Sequence, residues 1–427
     1  MVDGQRRSIS LQRALLSTRP PLLSLDEALP LLLERALPLH AIESLSTFDA
    51  HARVLAQDLI SQLQVPPLDS SSMDGYAVRC ADVKQAGAVL QVTQRIPAGS
   101  QGTPLHEGQA ARIFTGAPIP SGADAVVMQE DVKDLGDGQV AINIVPQKNQ
   151  LIRKSGEDIQ HDALVLKKGR RLTPADLGLA ASLGLAQLQV AKPVRVALLS
   201  TGNELVTPGD IAPDQMLPGA IYNSNRFFLK ILLEKTGCVV TDLGIVPDQL
   251  EATKKNLLEA SRNHDLILTS GGVSVGEEDH IKPAVTALGE LHLWSLAIKP
   301  GKPFAMGHIN NESTQAHFMG LPGNPVSSFI TFLLLVRPFL LKLQGASYVL
   351  PLSLPLRADF DWLRPDRRRE FLRVKINAAR GLDLFENQSS GVLTSVSWAD
   401  GVIDVPAGHA IHKGDSVSFI SFAHWHL

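Results

Sequence analysis

Between residues 25 and 56, apolar positions such as Ala28, Leu31, Leu32 and Ala36 recur at helical spacing, and Ser24 or Asp26 stands where a cap belongs. The pattern predicts an N-terminal helical segment. Past Pro66 and Pro67 the texture changes to short apolar runs, 89–92 and 125–128 among them, separated by clusters of Gly, Pro and Ser. Such runs predict a small β-rich unit over residues 82–145. Helical patterning returns at 173–183, where Thr173 precedes Pro174 as an N-cap precedes a proline at the first helical position. The β unit then reads as an insertion into a discontinuous helical domain, 21–81 and 146–190.

The regular alternation comes next. Strand candidates at 194–199, 239–243 and 266–269 alternate with amphipathic helices at 225–235 and 250–262, and Gly237 is placed to stop the first helix. Alternation of this kind predicts a parallel sheet with right-handed crossovers over residues 191–345. From 346 to 427, alternating Leu352, Leu354 and Leu356, an arginine-rich run and several short β-like segments predict a C-terminal β-barrel or sandwich. The fold class is α/β, multidomain.

Composition narrows this picture without redrawing it. At 427 residues the chain exceeds the size at which one core stops growing, and 44% apolar against 19% charged residues is ample for several cores. A net charge of -3 removes a general electrostatic case for nucleic acid and leaves room for a local anion site. Cys80 and Cys238 form no CxxC pair, so a reducing, cytoplasmic setting is expected. The apolar stretch 329–336 falls short of the roughly 20 residues that span a bilayer and reads as a buried helix, so no membrane is expected. Residues 1–20 carry arginines but no continuous apolar segment, and are expected to be a flexible extension.

In an open parallel sheet, ligands collect beyond the carboxyl ends of the strands. Glu204 lies in the loop after the first strand candidate; Ser270, Gly271, Gly272, Ser274 and Asp279 lie in the loop after the third. Glycines permit close backbone approach and serines donate, which makes an oxyanion cradle; an ordinary tight turn has the same composition. Gly323, Asn324, Pro325 and Ser327 lead into the apolar helix 329–341, whose free N–H groups would face a ligand. Between these loops, Lys299 and Lys302 sit on a stiff Lys-Pro-Gly-Lys-Pro segment, suited to a phosphate or equally to a solvated turn. Asp74, Glu204, Asp248 and Asp279 are hard oxygen donors of the type that holds Mg²⁺ beside substrate phosphates; each is also a possible helix cap. The histidines form no ligand set with metal spacing.

The motifs STGNEL (200–205), SGGVSVGEED (270–279), AIKPGKP (297–303) and GLPGNPVS (320–327), preceded by SSSMDGYA (70–77), RIFTGAPIP (112–120), GADAVVMQE (122–130) and SGEDI (155–159), resemble the MoeA and gephyrin E-domain family. The resemblance implies an elongated helical domain, an inserted β domain, a MogA-like α/β domain and a C-terminal β domain. It implies a homodimer with the SSSMDGYA segment facing the partner's α/β domain. The implied reaction takes adenylylated molybdopterin and molybdate, and releases AMP with Mg²⁺. Asp74, Glu204, Asp279, Lys299 and Lys302 occupy the family's catalytic positions, with Glu204 and Asp279 as metal ligands. Thr115 and Asp248 match its binding positions, and Arg369 and Ser395 are carried over as cleft residues. Asn203 stands where many bacterial members have Asp, and His280 replaces a residue that is often aromatic. A MogA-type adenylyltransferase and molybdoenzyme acceptors are the implied partners. A gephyrin-like scaffold or a tungstate-specific paralogue is the alternative.

Overall fold

The computed structural model describes residues 22–247, 249–272, 280–311 and 315–425. They form two compact units: Ser44–His51 with Leu55–Gln189, and Ala52–Val54 with Val190–Leu427 and the described residues before Ser44. Asp248, Ser274 and Asp279, and the extension 1–20, lie outside the described residues.

In the first unit a six-stranded sheet runs, in spatial order, Ala125–Met128, Gly75–Val78, Gln109–Ile113, Ala88–Ile96, Gln139–Ile142 and Val132–Gly136. Strand alternation sends Val78, Leu90, Ala110 and Val127 to one core, and Ala77, Ile96, Ala111 and Val126 to the other. Both faces are therefore covered. Around the sheet, helix was expected, but Leu59–Ile60 pairs with Leu164–Leu166 and Ser70–Ser71 pairs with Ile152–Arg153. Pro66, Pro67 and Gly156 interrupt these segments too often for helical turns. The expected helix forms at Pro174–Ser182: Thr173 accepts from Asp176 N at 3.3 Å, and Asp176 accepts from Thr173 N at 2.9 Å.

The second unit begins with α1 (Leu25–Glu34), whose capping box joins Ser24 and Glu27. The helix stops well before residue 56. Pro38 pushes Leu37 out of the helical region and removes a donor, so the apolar period beyond it belongs to extended chain. The α/β core follows: β1 (Arg195–Thr201), α2 (Ser224–Lys235), β2 (Val239–Val246), α3 (Leu250–Asn263), β3 (Leu266–Ser270), α4 (Ile281–Leu288), β4 (Gly289–Ser295), β5 (Pro303–Asn310), β6 (Gln315–Leu321) and α5 (Pro325–Leu343).

The sheet order is β2-β1-β3-β6-β5-β4. The first four strands are parallel, as expected, whereas β5 pairs antiparallel with both β6 and the edge strand β4, so β5 alone runs the opposite way. Chain direction explains this: β4, β5 and β6 follow one another through short connections, with no crossover helix between them. Val196 and Leu198 face the core shared with α1, α2 and α5, while Ala197 and Leu199 face α3 and α4. Each fully buried Leu contributes about 1.5–3 kcal/mol. Helix α5 is long and apolar enough to cross a bilayer but is buried in this core. Its middle, Phe332–Val336, is a π turn ahead of Pro338, and the wider turn accommodates the missing proline N–H.

The C-terminal part adds β7 (Leu354–Arg357), β8 (Arg369–Ile376), β9 (Leu382–Leu384), α6 (Thr394–Trp398), β10 (Gly401–Val405) and β11 (Ser416–Ser421). Their sheet runs β8-β10-β11-β7, with β9 pairing β8, and takes in Ile298–Lys299 beside β8. That last pairing fixes the lysine segment against the C-terminal strands.

Candidate functional site

Because β1 leads outward to β2 and the chain then crosses to β3 on the other side, the strand order reverses between β1 and β3. A crevice opens at their carboxyl ends by construction. A cavity of about 540 Å³ lies there, walled by Thr201 and Glu204 after β1, Ser270 and Gly271 after β3, and residues 322–325 and Ser327 after β6. Sequence reading thus brought Glu204, Ser270, Gly271, Gly323, Asn324, Pro325 and Ser327 to one place. It missed a fourth wall, Tyr222, Asn223, Ser224 and Asn225, at the start of α2. The signal was Asn223 ahead of an amphipathic helix, an N-cap in the sequence.

Asn225 ties the loops together. Its Nδ2 donates to Ser270 Oγ at 2.7 Å and to Gly323 O at 2.7 Å, so one buried amide joins α2, β3 and the turn after β6. Two glycines make the approach possible. At Gly202, φ is +147°, and a Cβ would meet Glu204 Oε2 at 2.5 Å; at Gly272, φ is +70°, and a Cβ would meet Ile281 Cγ1 at 2.5 Å.

The turn leading into α5 is not the open donor set expected. Pro325 has no N–H, and Val326 N donates to Ser390 O at 3.0 Å, so of the first turn only the Ser327 N–H is left without an acceptor among the described residues. Gly391, beside Ser390, closes the cavity wall.

Lys299 is also differently employed. Its Nζ lies 3.1 Å from Glu370 Oε1 and 3.4 Å from Asp366 Oδ2, and Glu370 is 1% exposed. Trp362 Nε1 and Asp366 N donate to the other Glu370 oxygen, each at 2.9 Å. Arg368 beside Asp366 holds that carboxyl well below the usual range. Lys299 therefore balances a buried carboxylate, whereas Lys302, next to the cavity residue Pro303, is exposed and has no acidic partner among the described residues.

Arg369 does not line this cavity. It grips Asp404 through Nε at 2.6 Å and reaches Asp26 at 2.8 Å, so its charge is balanced, and it borders a separate hollow in the C-terminal sheet. Ser395 belongs to a different arginine. Its Oγ accepts from Arg373 Nε at 3.1 Å and donates to Val392 O at 2.7 Å. Arg373 is fully buried, has hydroxyl and carbonyl partners but no carboxylate among the described residues, and burial pulls its pKa down to about 10. The sequence showed Arg373 only as one of a run of arginines.

In the other unit, Asp74 and Thr115 meet. Asp74 Oδ1 accepts from Thr115 N and Thr115 Oγ1, both at 2.9 Å, and these donors hold its carboxyl below the usual range. Beside them the guanidinium groups of Arg95 and Arg112 lie over the Phe114 ring, at 4.5 Å and 4.8 Å from its centre.

Among the described residues no three His, Cys, Asp or Glu side chains gather at one point. Among the described residues Glu204 is the one carboxylate that lines the cavity, which fits Mg²⁺ in its usual mode, with one or two protein carboxylates and the remaining ligands from substrate phosphates and water.

Comparison with known proteins matches three consecutive regions of the chain. Residues 23–184 match the MoeA N-terminal region (domain I and II), 197–342 a probable molybdopterin binding domain, and 355–422 the MoeA C-terminal region (domain IV). A molybdopterin molybdenumtransferase of Haemophilus influenzae is 44% identical over 76% of this chain and 78% of its own. One from a Nostoc species is 35% identical over 88% and 87%. A molybdopterin biosynthesis MoeA protein of Pyrococcus horikoshii has a similar solved structure, with TM-score 0.81 and 28% identity over 94% of this chain and 100% of that one. With all three regions matched in order, and relatives at this identity over most of their length, the chain belongs to the MoeA family.

Proposed function

We propose that this chain is a molybdopterin molybdenumtransferase that inserts molybdate into adenylylated molybdopterin and releases AMP with Mg²⁺. The observation that carries the reading is the cavity at the strand-order reversal, where Asn225 locks three loops around a polar space faced by the Glu204 carboxylate. Similarity to the Haemophilus influenzae and Nostoc transferases supports it.

When bound, Mg²⁺ would neutralise charge on the phosphates of the substrate. The chain's own residues bind and orient. Glu204 and, by resemblance, Asp279 hold the cation; Lys302 supplies a charge-assisted contact to an anionic oxygen. Ser270, Ser327 and the Gly271 backbone shape the pocket around the pterin. Arg373, a buried cation balanced by no carboxylate among the described residues, draws an oxyanion such as molybdate toward the wall formed by Gly391. No nucleophilic side chain is needed, because positioning and charge neutralisation suffice for anhydride cleavage beside the dithiolene.

We also propose a cytoplasmic homodimer in which Asp74 and Thr115 serve the partner's cavity, with a MogA-type adenylyltransferase supplying the substrate. Mixing Asp74→Asn and Glu204→Gln proteins should then restore part of the activity that each lacks alone. The reaction itself is tested with purified protein, adenylylated molybdopterin, molybdate and Mg²⁺. AMP release that falls sharply in Glu204→Gln is expected, and release unaffected by that change removes Glu204 from the mechanism.

A further inference from the structure

Helix α2 begins inside the cavity, and its first turn holds donors that no described residue uses. Asn223 caps the helix: its Oδ1 accepts from Arg226 N at 3.2 Å. That bond settles which end of the amide is oxygen, so the Nδ2 group is the remaining one. Asn223 is 2% exposed and lines the cavity, yet among the described residues Nδ2 has no hydrogen-bond partner. Leaving a buried amide donor unpaired is costly, and a protein recovers that cost when a ligand supplies the acceptor.

Two more donors sit beside it. The N–H groups of Ser224 and Asn225, the first positions of a 12-residue helix, have no acceptor among the described residues and lie at the positive end of its dipole. The Asn225 side chain is committed elsewhere, to Ser270 and Gly323, and serves as the floor. Nor does a basic side chain at this turn compete for the ligand, because Arg226 Nε binds both oxygens of Asp242 at 2.8 Å. Helix α5, the other helix opening into the cavity, has already given its Val326 N–H to Ser390.

We infer that the first turn of α2, with the Asn223 side-chain amide, is the subsite that takes the phosphate group of the nucleotide-bearing substrate. This rests on the proposed transferase reading. Three neutral donors and a helix dipole select an acceptor-rich, negatively charged group and give nothing to a donor. Glu204 on the same cavity repels a bare phosphate, so a divalent cation between them favours binding, and affinity for a phosphate ester should rise with Mg²⁺.

The test uses the full chain, AMP as phosphate monoester, adenosine as its uncharged counterpart, and inorganic phosphate. In wild type, AMP and inorganic phosphate should shift the backbone amide NMR signals of Ser224 and Asn225, and adenosine should not. Asn223→Asp keeps the capping oxygen but replaces the donor with a negative charge. It should weaken AMP at least about tenfold and leave adenosine unchanged. Normal AMP affinity in a folded Asn223→Asp protein, or AMP binding that leaves both amides unmoved, overturns the subsite while the transferase reading stands. Amides that respond to inorganic phosphate in a protein with no affinity for AMP support the subsite and count against the reading.

Discussion

Replacing Lys299 with Met should cost stability before it costs binding. The substitution strands Glu370, whose carboxylate is 1% exposed and, among the described residues, otherwise receives only the N–H groups of Trp362 and Asp366 on one oxygen. Breaking a buried ion pair from one side costs about 3–5 kcal/mol. Lys299 is itself 37% exposed, and those two donors remain, so the low end, about 3 kcal/mol, applies. For a unit of this size that lowers Tm on the order of 6–12 °C. Adding Glu370→Gln removes the stranded charge, and the double variant should recover at least about half of the loss, a coupling that a double-mutant cycle measures by thermal or urea unfolding. Additive effects, or a Lys299→Met protein as stable as wild type, would refute the reasoning and return Lys299 to the ligand.

Lys302→Ala should leave Tm unchanged and weaken adenylylated molybdopterin about tenfold or more, the value of one charge-assisted contact, measured by calorimetric titration. Thr115→Val removes the hydroxyl donor to Asp74, so its carboxyl should titrate closer to the ordinary range by NMR. Because the folded value is lowered, the ionised contact is intact above the ordinary carboxylate pKa and is lost as pH falls through the folded value; Thr115→Val should move that loss to higher pH. Burial, and then Asp124, push the Cys80 thiol up to about 11, and burial raises that of Cys238 as well. Cys238 should not react with a thiol reagent at neutral pH until the chain unfolds, and the partly exposed Cys80 should react only slowly; rapid reaction of two thiols in the native protein would contradict this.

What could be read from the sequence follows the range of the interactions. The caps at Ser24 and Thr173, the helix stop at Gly237 and the parallel strands of the α/β core are set by residues a few positions apart, and all formed. The loops after β1, β3 and β6 converge because parallel strands must end on one side. Long-range partnerships were invisible. Nothing near Lys299 announces Asp366 and Glu370, which β8 brings alongside. Likewise Arg369 and Arg373 look alike in an arginine run, and only burial separates the ion-paired arginine from the one whose charge is left over. The early end of α1 is marked in the sequence by Pro38, against an apolar period that runs past it.

The central claim is that the nucleotide-bearing pterin occupies the cavity at the ends of β1, β3 and β6. The most direct measurement is a crystal structure with adenylylated molybdopterin and Mg²⁺, molybdate being withheld so that turnover stops. Density should lie against Ser270 and Gly271, with the cation at Glu204 and the phosphate at Ser224. A pterin bound only in the hollow beside Arg369, or only against the sheet that contains Tyr76, would contradict the account.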